Sequence, residues 1–270
     1  MSKHNQAVTT QKDELSQRAL AIATEAQERS VALQELGVEA QDLVIPLIQV
    51  MQNTSALVGD DKAKLGDIVN MQTNEILGDG TKSVKILPLK LFKTLRTYDV
   101  RNKGFKFLSE APLTSENDKL QGEGMVGEIP VKHYPTFNYF VLLKTDLAKE
   151  EGFPCLIRFK STGMNAGRTL ATHLYKLVFF RKRPYSQFVE LSTKKEKKDT
   201  ATYAVPTLEC KSEMASEKEM VAAETMLGLL AAGNYRVDER EETEVEAERV
   251  EAAKPVVVTG QVLGKAEGKY

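Results

Sequence analysis

The sequence has 270 residues, of which 41% are hydrophobic, and its net charge is -1, so it can form one sizeable core with additional segments around it. It has no apolar run near the ~20 residues that span a bilayer and no signal-peptide stretch at its start, so we expect a cytoplasmic protein without membrane contact. The two cysteines, Cys155 and Cys210, have no His or Cys at ligand spacing nearby, so we expect reduced thiols, no metal and no cofactor.

The charges are distributed unevenly along the chain. Residues 85–211 contain 23 Lys and Arg against 13 Asp and Glu, a net charge of +10, whereas residues 212–253 contain 4 against 12, a net charge of -8. A basic domain attracts phosphate polymers, and an acidic segment on the same chain can compete for the same surface. The first partner to test is therefore a polyanion.

Three regions are predicted along the chain. They are an N-terminal helical segment over residues 1–42, a domain over residues 43–235, and a flexible acidic tail with a basic and aromatic tip over residues 236–270. The first region has a thin apolar stripe at helical spacing, which predicts a helix packed on the domain or on a partner chain. The stripe consists of Leu15, Ala19, Ile22, Ala26 and Leu33.

The first half of the domain predicts strands. The Pro inside LVIPLIQVMQ favours an extended segment, and GDIVNMQTNEILGDG indicates a hairpin that bends at Thr73 and Asn74. SVKILPLKLFKTLRTYDV alternates in part between apolar and basic residues, which is typical of a strand, or a broken pair of strands, with one basic face. Residues 110–130 are rich in Gly, Pro and acids and predict an exposed, mobile connection.

The second half predicts two strands, a helix, two further strands and a last helix. HYPTFNYFVLLK and FPCLIRFKS suit an antiparallel pair, and Leu170, Leu174 and Leu177 lie on one side of a helix that begins near Asn165 or Gly167. A strand is expected from Tyr185, with KKEKKDT as the turn into TATYAVPTLEC. The helix over residues 214–232 is predicted to begin with a capping box of Ser216 and Glu219 and to end at Gly233.

Five to seven short strands with helices at both ends predict a mainly β (α+β) fold, specifically a small barrel of the OB type. A domain that binds unpaired strands needs cations along a groove and flat rings on which bases stack, at about 1–3 kcal/mol per base. Rings beside a cation and a turn are expected to stay accessible, because a ring near a loop has less core to enter. The predicted nucleic-acid-binding residues are Lys90, Lys93, Arg96, Tyr98, Arg101, Lys103, Phe105, Tyr134, Arg158, Lys160, Arg168, Arg181, Lys182, Arg183, Tyr185, Lys194, Lys195, Lys197 and Lys198.

Two of these segments allow a second interpretation. FKSTGMNAGR, residues 159–168, predicts a strand, a turn and a helix start whose backbone amides suit phosphate, or else a plain strand-to-helix connection. It lacks the Lys-Ser/Thr ending of a nucleotide-binding P-loop, which argues against an ATPase. KKEKKDT is either a flexible lysine finger that reaches over a bound strand or a solvated hairpin tip.

The sequence does not predict a catalytic centre. His133 and His173 have no nucleophile or carboxylate at a motif spacing, and the acidic residues of the basic region are scattered rather than clustered for a metal. We therefore expect a binding protein and not an enzyme.

The order of parts from Leu43 to Ala232 resembles a single-stranded-DNA-binding protein of tailed bacteriophages, in the podovirus group that carries a virion RNA polymerase. The similarity lies in IPLIQVMQ, GDIVN followed by NEILG, the aromatic strand pair, RFKSTGMNAGR and YAVPTL. This resemblance implies that the protein coats single strands during phage replication and recombination. It also implies a tail that recruits phage replication proteins or host RNA polymerase.

The end of the tail departs from the pattern of bacterial proteins with the same function, which end in acids and a Pro-Phe tip. Here the chain ends in GKAEGKY, so Lys265, Lys269 and Tyr270 become the candidate partner contacts. Two other classes fit the same composition: a virion structural or assembly protein with a basic face on DNA, and an accessory protein that docks on an enzyme. An oligomer is compatible with each class.

Overall fold

The computed structural model describes residues 44–101, 106–149, 152–198, 201–210, 213–231 and 236–237, and five separate helical residues before them. These five are Leu20, Thr24, Glu28, Val31 and Glu35. The described residues form a mainly β fold in which a ten-stranded sheet curls into a half-barrel and a further pair of strands runs parallel. No helix among them is long and apolar enough to cross a membrane.

The main sheet has the strand order β11-β10-β5-β8-β9-β2-β3-β4, with β6 beside β5 and β7 beside β8, while β1 pairs with β12. The strands are β1 Val44–Ile45, β2 Leu47–Val50, β3 Ile68–Asn70, β4 Glu75–Gly78, β5 Val84–Asp99, β6 Lys106–Pro112, β7 Gly122–Val126, β8 Ile129–Leu143, β9 Cys155–Phe159, β10 Val189–Lys198, β11 Ala201–Glu209 and β12 Arg236–Val237. The helices are α1 Ala56–Gly59, α2 Lys144–Ala148, α3 Met164–Phe179 and α4 Glu217–Ala231. Short 3-10 turns cover Asn117–Leu120, Ser161–Gly163 and Pro184–Ser186.

Helix α3 covers one face of the sheet. Its buried leucines are Leu170, Leu174 and Leu177, as the sequence predicted. The helix approaches closely at Gly167, where a Cβ atom would lie 3.0 Å from the Cβ of Phe159. The Tyr139 hydroxyl donates a hydrogen bond to the Gly167 carbonyl at 2.6 Å. This packing fixes the start of α3 against the end of β9.

Helix α4 lies on the opposite face, where Phe140, Leu142 and Leu156 belong to a second apolar cluster. The helix begins with the predicted capping box, since the Ser216 N–H donates to Glu219 Oε2 at 2.6 Å and the Glu219 N–H donates to Ser216 Oγ at 3.3 Å. The predicted stop at Gly233 lies outside the described residues.

The curl of the sheet brings β11 next to the end of β2. The Gln52 side chain donates to the Ala204 carbonyl at 3.0 Å and accepts from the Ala204 N–H at 3.1 Å. Asn53 Nδ2 donates to the Thr202 carbonyl at 2.7 Å. Side chains thus bridge to the backbone where a closed barrel would have a strand ladder, and the fold is barrel-like and mainly β as predicted.

Several predicted elements are confirmed. The chain is extended on both sides of Pro46, the hairpin β3–β4 bends at Asn74 with a φ of 59°, and β5 is one continuous strand. Strands β8 and β9 are antiparallel neighbours. The five described residues of the N-terminal segment are helical, whereas its predicted apolar stripe lies outside the described residues. The tail predicted over residues 236–270 begins too early, because Arg236 and Val237 form β12 beside β1, and the rest of it lies outside the described residues.

Two predicted boundaries are wrong. Residues 110–130 are not a continuous connection, because they contain the end of β6, a 3-10 turn, the whole of β7 and the start of β8. Backbone pairing holds β6 on β5 and β7 on β8. Such pairing needs few apolar side chains. The strand expected from Tyr185 begins at Val189, because Pro184–Ser186 forms a 3-10 turn.

Candidate nucleic-acid interface

The outer face of α3 presents aromatic rings to solvent. Arg168, Thr172, Tyr175 and Phe179 are three or four residues apart and so share one face, opposite the buried leucines. Tyr175 is 69% exposed, and Phe179 and Phe180 are each 68% exposed. We call Tyr175, Phe179 and Phe180 the α3 ring cluster. The Tyr175 and Phe179 rings are nearly parallel with centroids 6.2 Å apart, and the Phe180 ring stands at 88° to that of Phe179.

The ring cluster lies within a stretch of one charge sign. Residues 161–189 contain five Lys and Arg and no Asp or Glu. Four of these cations, Arg168, Lys176, Arg181 and Lys182, are exposed. Arg181 has a φ of 56° just after the helix ends. Arg181 and Lys182 directly follow Phe180 in the sequence. Cations and open ring faces are therefore neighbours on this surface.

Arg183 and Tyr185, which the sequence predicted to bind nucleic acid, make a structural contact with α4. Tyr185 is 6% exposed, and its hydroxyl donates to Glu224 Oε2 at 2.6 Å. The Arg183 guanidinium pairs with the same carboxylate of α4. Burial, with the hydrogen bond to Glu224, raises the pKa of Tyr185. The prediction that this ring is accessible is wrong, because the 3-10 turn directs it into the core.

A cleft of about 510 Å³ opens at the start of α3, between the ends of β2 and β9 and the strand β11. We call it the β9 cleft. Three cations line it, Arg96, Arg158 and Lys160, and no Asp or Glu is among its described lining residues. The Arg96 and Arg158 side chains are only 2% and 8% exposed, and both pair with Glu110, at 3.3 and 3.8 Å.

Tyr98 forms the inner wall of the β9 cleft. Its hydroxyl accepts a hydrogen bond from Lys160 Nζ at 2.9 Å, and the same Nζ lies 4.8 Å from its ring centroid. Tyr98 is 2% exposed, packed edge-on against Phe107 and the half-buried Tyr134. The predictions of an accessible Tyr98 and of Arg96 on an open basic face are therefore wrong, because β6 runs beside this end of β5.

The lysines of KKEKKDT lie on β10 and not in a turn. Lys194 pairs in register with Val205 and Lys198 with Ala201, so strand alternation divides the four exposed lysines between two faces. The lysine finger is therefore wrong for Lys194, Lys195, Lys197 and Lys198, while residues 199–200 lie outside the described residues. A groove of about 360 Å³ runs between this hairpin and the first half of α3. It shares Thr162, Tyr203 and Pro206 with the β9 cleft.

The remaining predicted residues line neither the β9 cleft nor the groove, or lie outside the described residues. Lys90 and Lys93 are exposed on β5, with Lys93 Nζ 4.8 Å from the Phe137 ring centroid. Arg101 pairs with Asp99 at 2.6 Å, and its hydrogen bonds hold the pKa of that carboxyl below its usual range. Outside the description lie Lys103, Phe105, Lys265, Lys269 and Tyr270.

The sequence prediction missed the α3 ring cluster and Glu110. The signal for the rings was present, because the same helical spacing that buries Leu170, Leu174 and Leu177 turns Tyr175 and Phe179 outward. Glu110 had no comparable signal, since its contact with Arg96 depends on the register of β6 against β5.

The comparisons with known proteins give a family. The family model of the Pam3 phage gp34-like protein matches residues 16–236, which is most of the chain. No curated protein and no solved structure matches. The match supports the prediction of a phage protein, and its description names no ligand.

Proposed function

The chain belongs to the family of Pam3 phage gp34-like proteins, and we propose that it binds single-stranded DNA without changing it chemically. One observation carries the proposal: the α3 ring cluster is more than two-thirds exposed within a stretch of 29 residues, 161–189, that has five cations and no acid. Aromatic rings are ordinarily buried in the core, and cations are often paired with acidic side chains. Because they are exposed, the rings and the positive charges are accessible to a ligand.

The chemistry of this surface suits an unpaired strand. Exposed rings stack bases for about 1–3 kcal/mol each, without regard to sequence, and Lys and Arg neutralise the phosphates. A duplex keeps its bases stacked on each other, so it can use the cations but not the rings. The groove, lined by the Lys194–Glu196 pair, and the β9 cleft both lie at the start of the same helix, so a strand bound at the rings would run along α3 to reach them.

The wider role follows from the resemblance found in the sequence. The protein coats unpaired strands in phage DNA replication and recombination, in the cytoplasm of the host, with an OB-type barrel as its scaffold. Its acidic tail recruits replication or transcription proteins through Lys265, Lys269 and Tyr270. This role needs neither catalysis nor a cofactor.

The test removes ring faces without removing charge. A Phe179→Ala/Phe180→Ala double variant should bind oligo-dT at least about tenfold more weakly, since about 1.4 kcal/mol of lost stacking is a factor of ten. The matched control is Leu120→Ala/Met125→Ala, which removes two apolar side chains that are 54% and 62% exposed away from α3. Fluorescence anisotropy of labelled oligo-dT measures both. Equal affinity of the two variants would contradict the proposal.

A virion structural or assembly protein is the second candidate. The observation in its favour is the set of exposed apolar side chains at β7, where Met125 is 62% and Val126 51% exposed, because apolar side chains at a sheet margin suit contact with another subunit. Analytical ultracentrifugation distinguishes the two functions. An assembly protein forms large oligomers that Met125→Lys disrupts, whereas strand binding as proposed survives that change.

A further inference from the structure

The β9 cleft has cations that are fixed before any ligand arrives. Arg158 Nε donates to Asn138 Oδ1 at 3.2 Å, and Asn138 Nδ2 donates to Thr94 Oγ1 at 2.8 Å. Glu110 pairs with Arg158 and Arg96 but does not itself line the cleft. Side chains held in this way lose little conformational entropy when they bind an anion. The described walls of the cleft therefore present organised positive charge.

The turn before α3 adds polar groups to the lining of the cleft. Ser161, Thr162 and Gly163 line the cleft immediately before this 16-residue helix. The first turn of α3 has no acidic residue and no side-chain cap. The first N–H groups of a helix lack acceptors within the helix and favour negative charge. An anion in the cleft would lie among the three cations and next to this helix start.

The rest of the lining suits an organic group. Ile48, Val50, Ile157 and Pro206 contribute an apolar part of the lining, here called the apolar wall. The volume of about 510 Å³ lies within the roughly 300–1,000 Å³ of small-ligand sites, which combine apolar walls with a few placed polar groups. A ligand that fills both parts has a phosphate at one end and a flat, weakly polar body at the other.

We propose that the β9 cleft binds a nucleotide, with its phosphate on Lys160 and Arg158 and its nucleoside against the apolar wall. The nucleotide is either free or part of a bound strand, and the inference rests on the proposed function only in the second case. The cleft differs from the α3 ring cluster in what it recognises, because the rings take bases and the cleft requires the phosphate.

The experiment titrates the full chain with dTMP and with thymidine by isothermal calorimetry at low salt. We expect dTMP to bind at about millimolar concentration or below, inorganic phosphate to compete, and thymidine to bind at least tenfold more weakly. Lys160→Ala should weaken dTMP at least tenfold. Lys218→Ala removes an exposed lysine of α4 that does not line the cleft and should leave the dTMP affinity within twofold. Thermal unfolding checks that both variants are folded.

Failure of dTMP to bind, or equal binding by the Lys160→Ala and Lys218→Ala variants, would overturn the inference. If dTMP binds, competition identifies the source of the nucleotide. Oligo-dT displaces dTMP if a strand occupies the cleft, and both bind together if the cleft takes free nucleotides. The Phe179→Ala/Phe180→Ala variant should keep its dTMP affinity. If oligo-dT does not bind the wild-type chain while dTMP does, the proposed function fails and the cleft inference stands.

Discussion

Strands β5 and β8 pair along most of their length, but their two ends are stabilised by different forces. At one end, here called the near end, Leu87, Phe140 and Leu142 are fully buried in the apolar cluster that α4 covers. At the other, far end, the same face of the sheet carries Arg96, which pairs with Glu110 of β6, and Tyr98. The near end removes apolar surface from water, and the far end buries charge.

This difference separates folding from function within one strand pair. Apolar burial supplies most of the free energy of folding, and a buried ion pair contributes little net stability because desolvation offsets its attraction. The far end therefore contributes less to stability than to positioning, because it places Arg96, Arg158 and Tyr98 at the wall of the β9 cleft. The near end maintains the fold on which that geometry depends.

The largest effect is expected at the near end. Phe140→Ala should lower the free energy of unfolding by about 3–5 kcal/mol, because it leaves a cavity where the ring is 0% exposed. Urea denaturation measures the loss. Phe179→Ala, which removes the same side chain at 68% exposure, should change stability by no more than about 0.5 kcal/mol. Similar losses in both variants would remove the distinction between core and exposed rings.

Breaking the charge cluster at the far end should cost slightly less. Glu110→Gln removes the carboxylate that pairs with both Arg96 and Arg158, and we expect a loss of about 3 kcal/mol, the lower end of the range for a buried charge that loses its partner. The loss should change little with salt, because buried pairs are weakly screened. A loss that disappears at high salt would mean that the cluster is solvated and that the two ends do not differ as described.

A smaller effect is expected at the start of α4, which covers the near end. Ser216→Ala removes the side-chain half of the capping box and should cost about 1 kcal/mol. Glu219→Gln keeps an acceptor for the Ser216 N–H and serves as the conservative control. Thermal unfolding of the two variants should rank them in that order, and the reverse order would show that charge, not capping, holds the helix start.

The last prediction concerns the reactivity of the buried Cys155 thiol in the native protein. Burial raises the pKa of Cys155, which pairs with Val141 near the near end of β8, to about 12, whereas Cys210 is exposed. In a Cys210→Ser variant, native protein should therefore resist alkylation until it unfolds. Because the unfolded thiol has a pKa of about 8.5, its contribution to stability is complete below that pH and is lost as the pH rises toward 12. Rapid native labelling of Cys155 would show that the near end opens.

The sequence predicted the parts of the fold that depend on local patterns. The spacing of Leu170, Leu174 and Leu177 predicted α3, and Ser216 with Glu219 predicted the start of α4. Strand β7 escaped prediction because glycines and acids in a marginal strand resemble a loop, and its backbone pairing with β8 is not local.

The candidate site was predicted by composition more than by position. The cations Arg158, Lys160, Arg181 and Lys182 lie on the two surfaces that carry the proposals. Tyr98 was assigned to solvent and is buried, because the packing of β6 on β5 arises from a pairing between distant segments. The burial of a ring in a long strand depends on what the sheet places over it, which residue types alone do not specify.

The central claim is that unpaired DNA binds through cations and exposed rings together, and the salt dependence of binding tests it most directly. Affinities for oligo-dT and for a duplex of equal length are measured by fluorescence anisotropy between about 50 and 200 mM salt. We predict tighter binding of the single strand, with log affinity falling linearly with log salt by about 0.7 per neutralised phosphate. The Arg181→Ala/Lys182→Ala variant should reduce that slope by about 1.4. Binding that is independent of salt, or a preference for the duplex, would contradict the account.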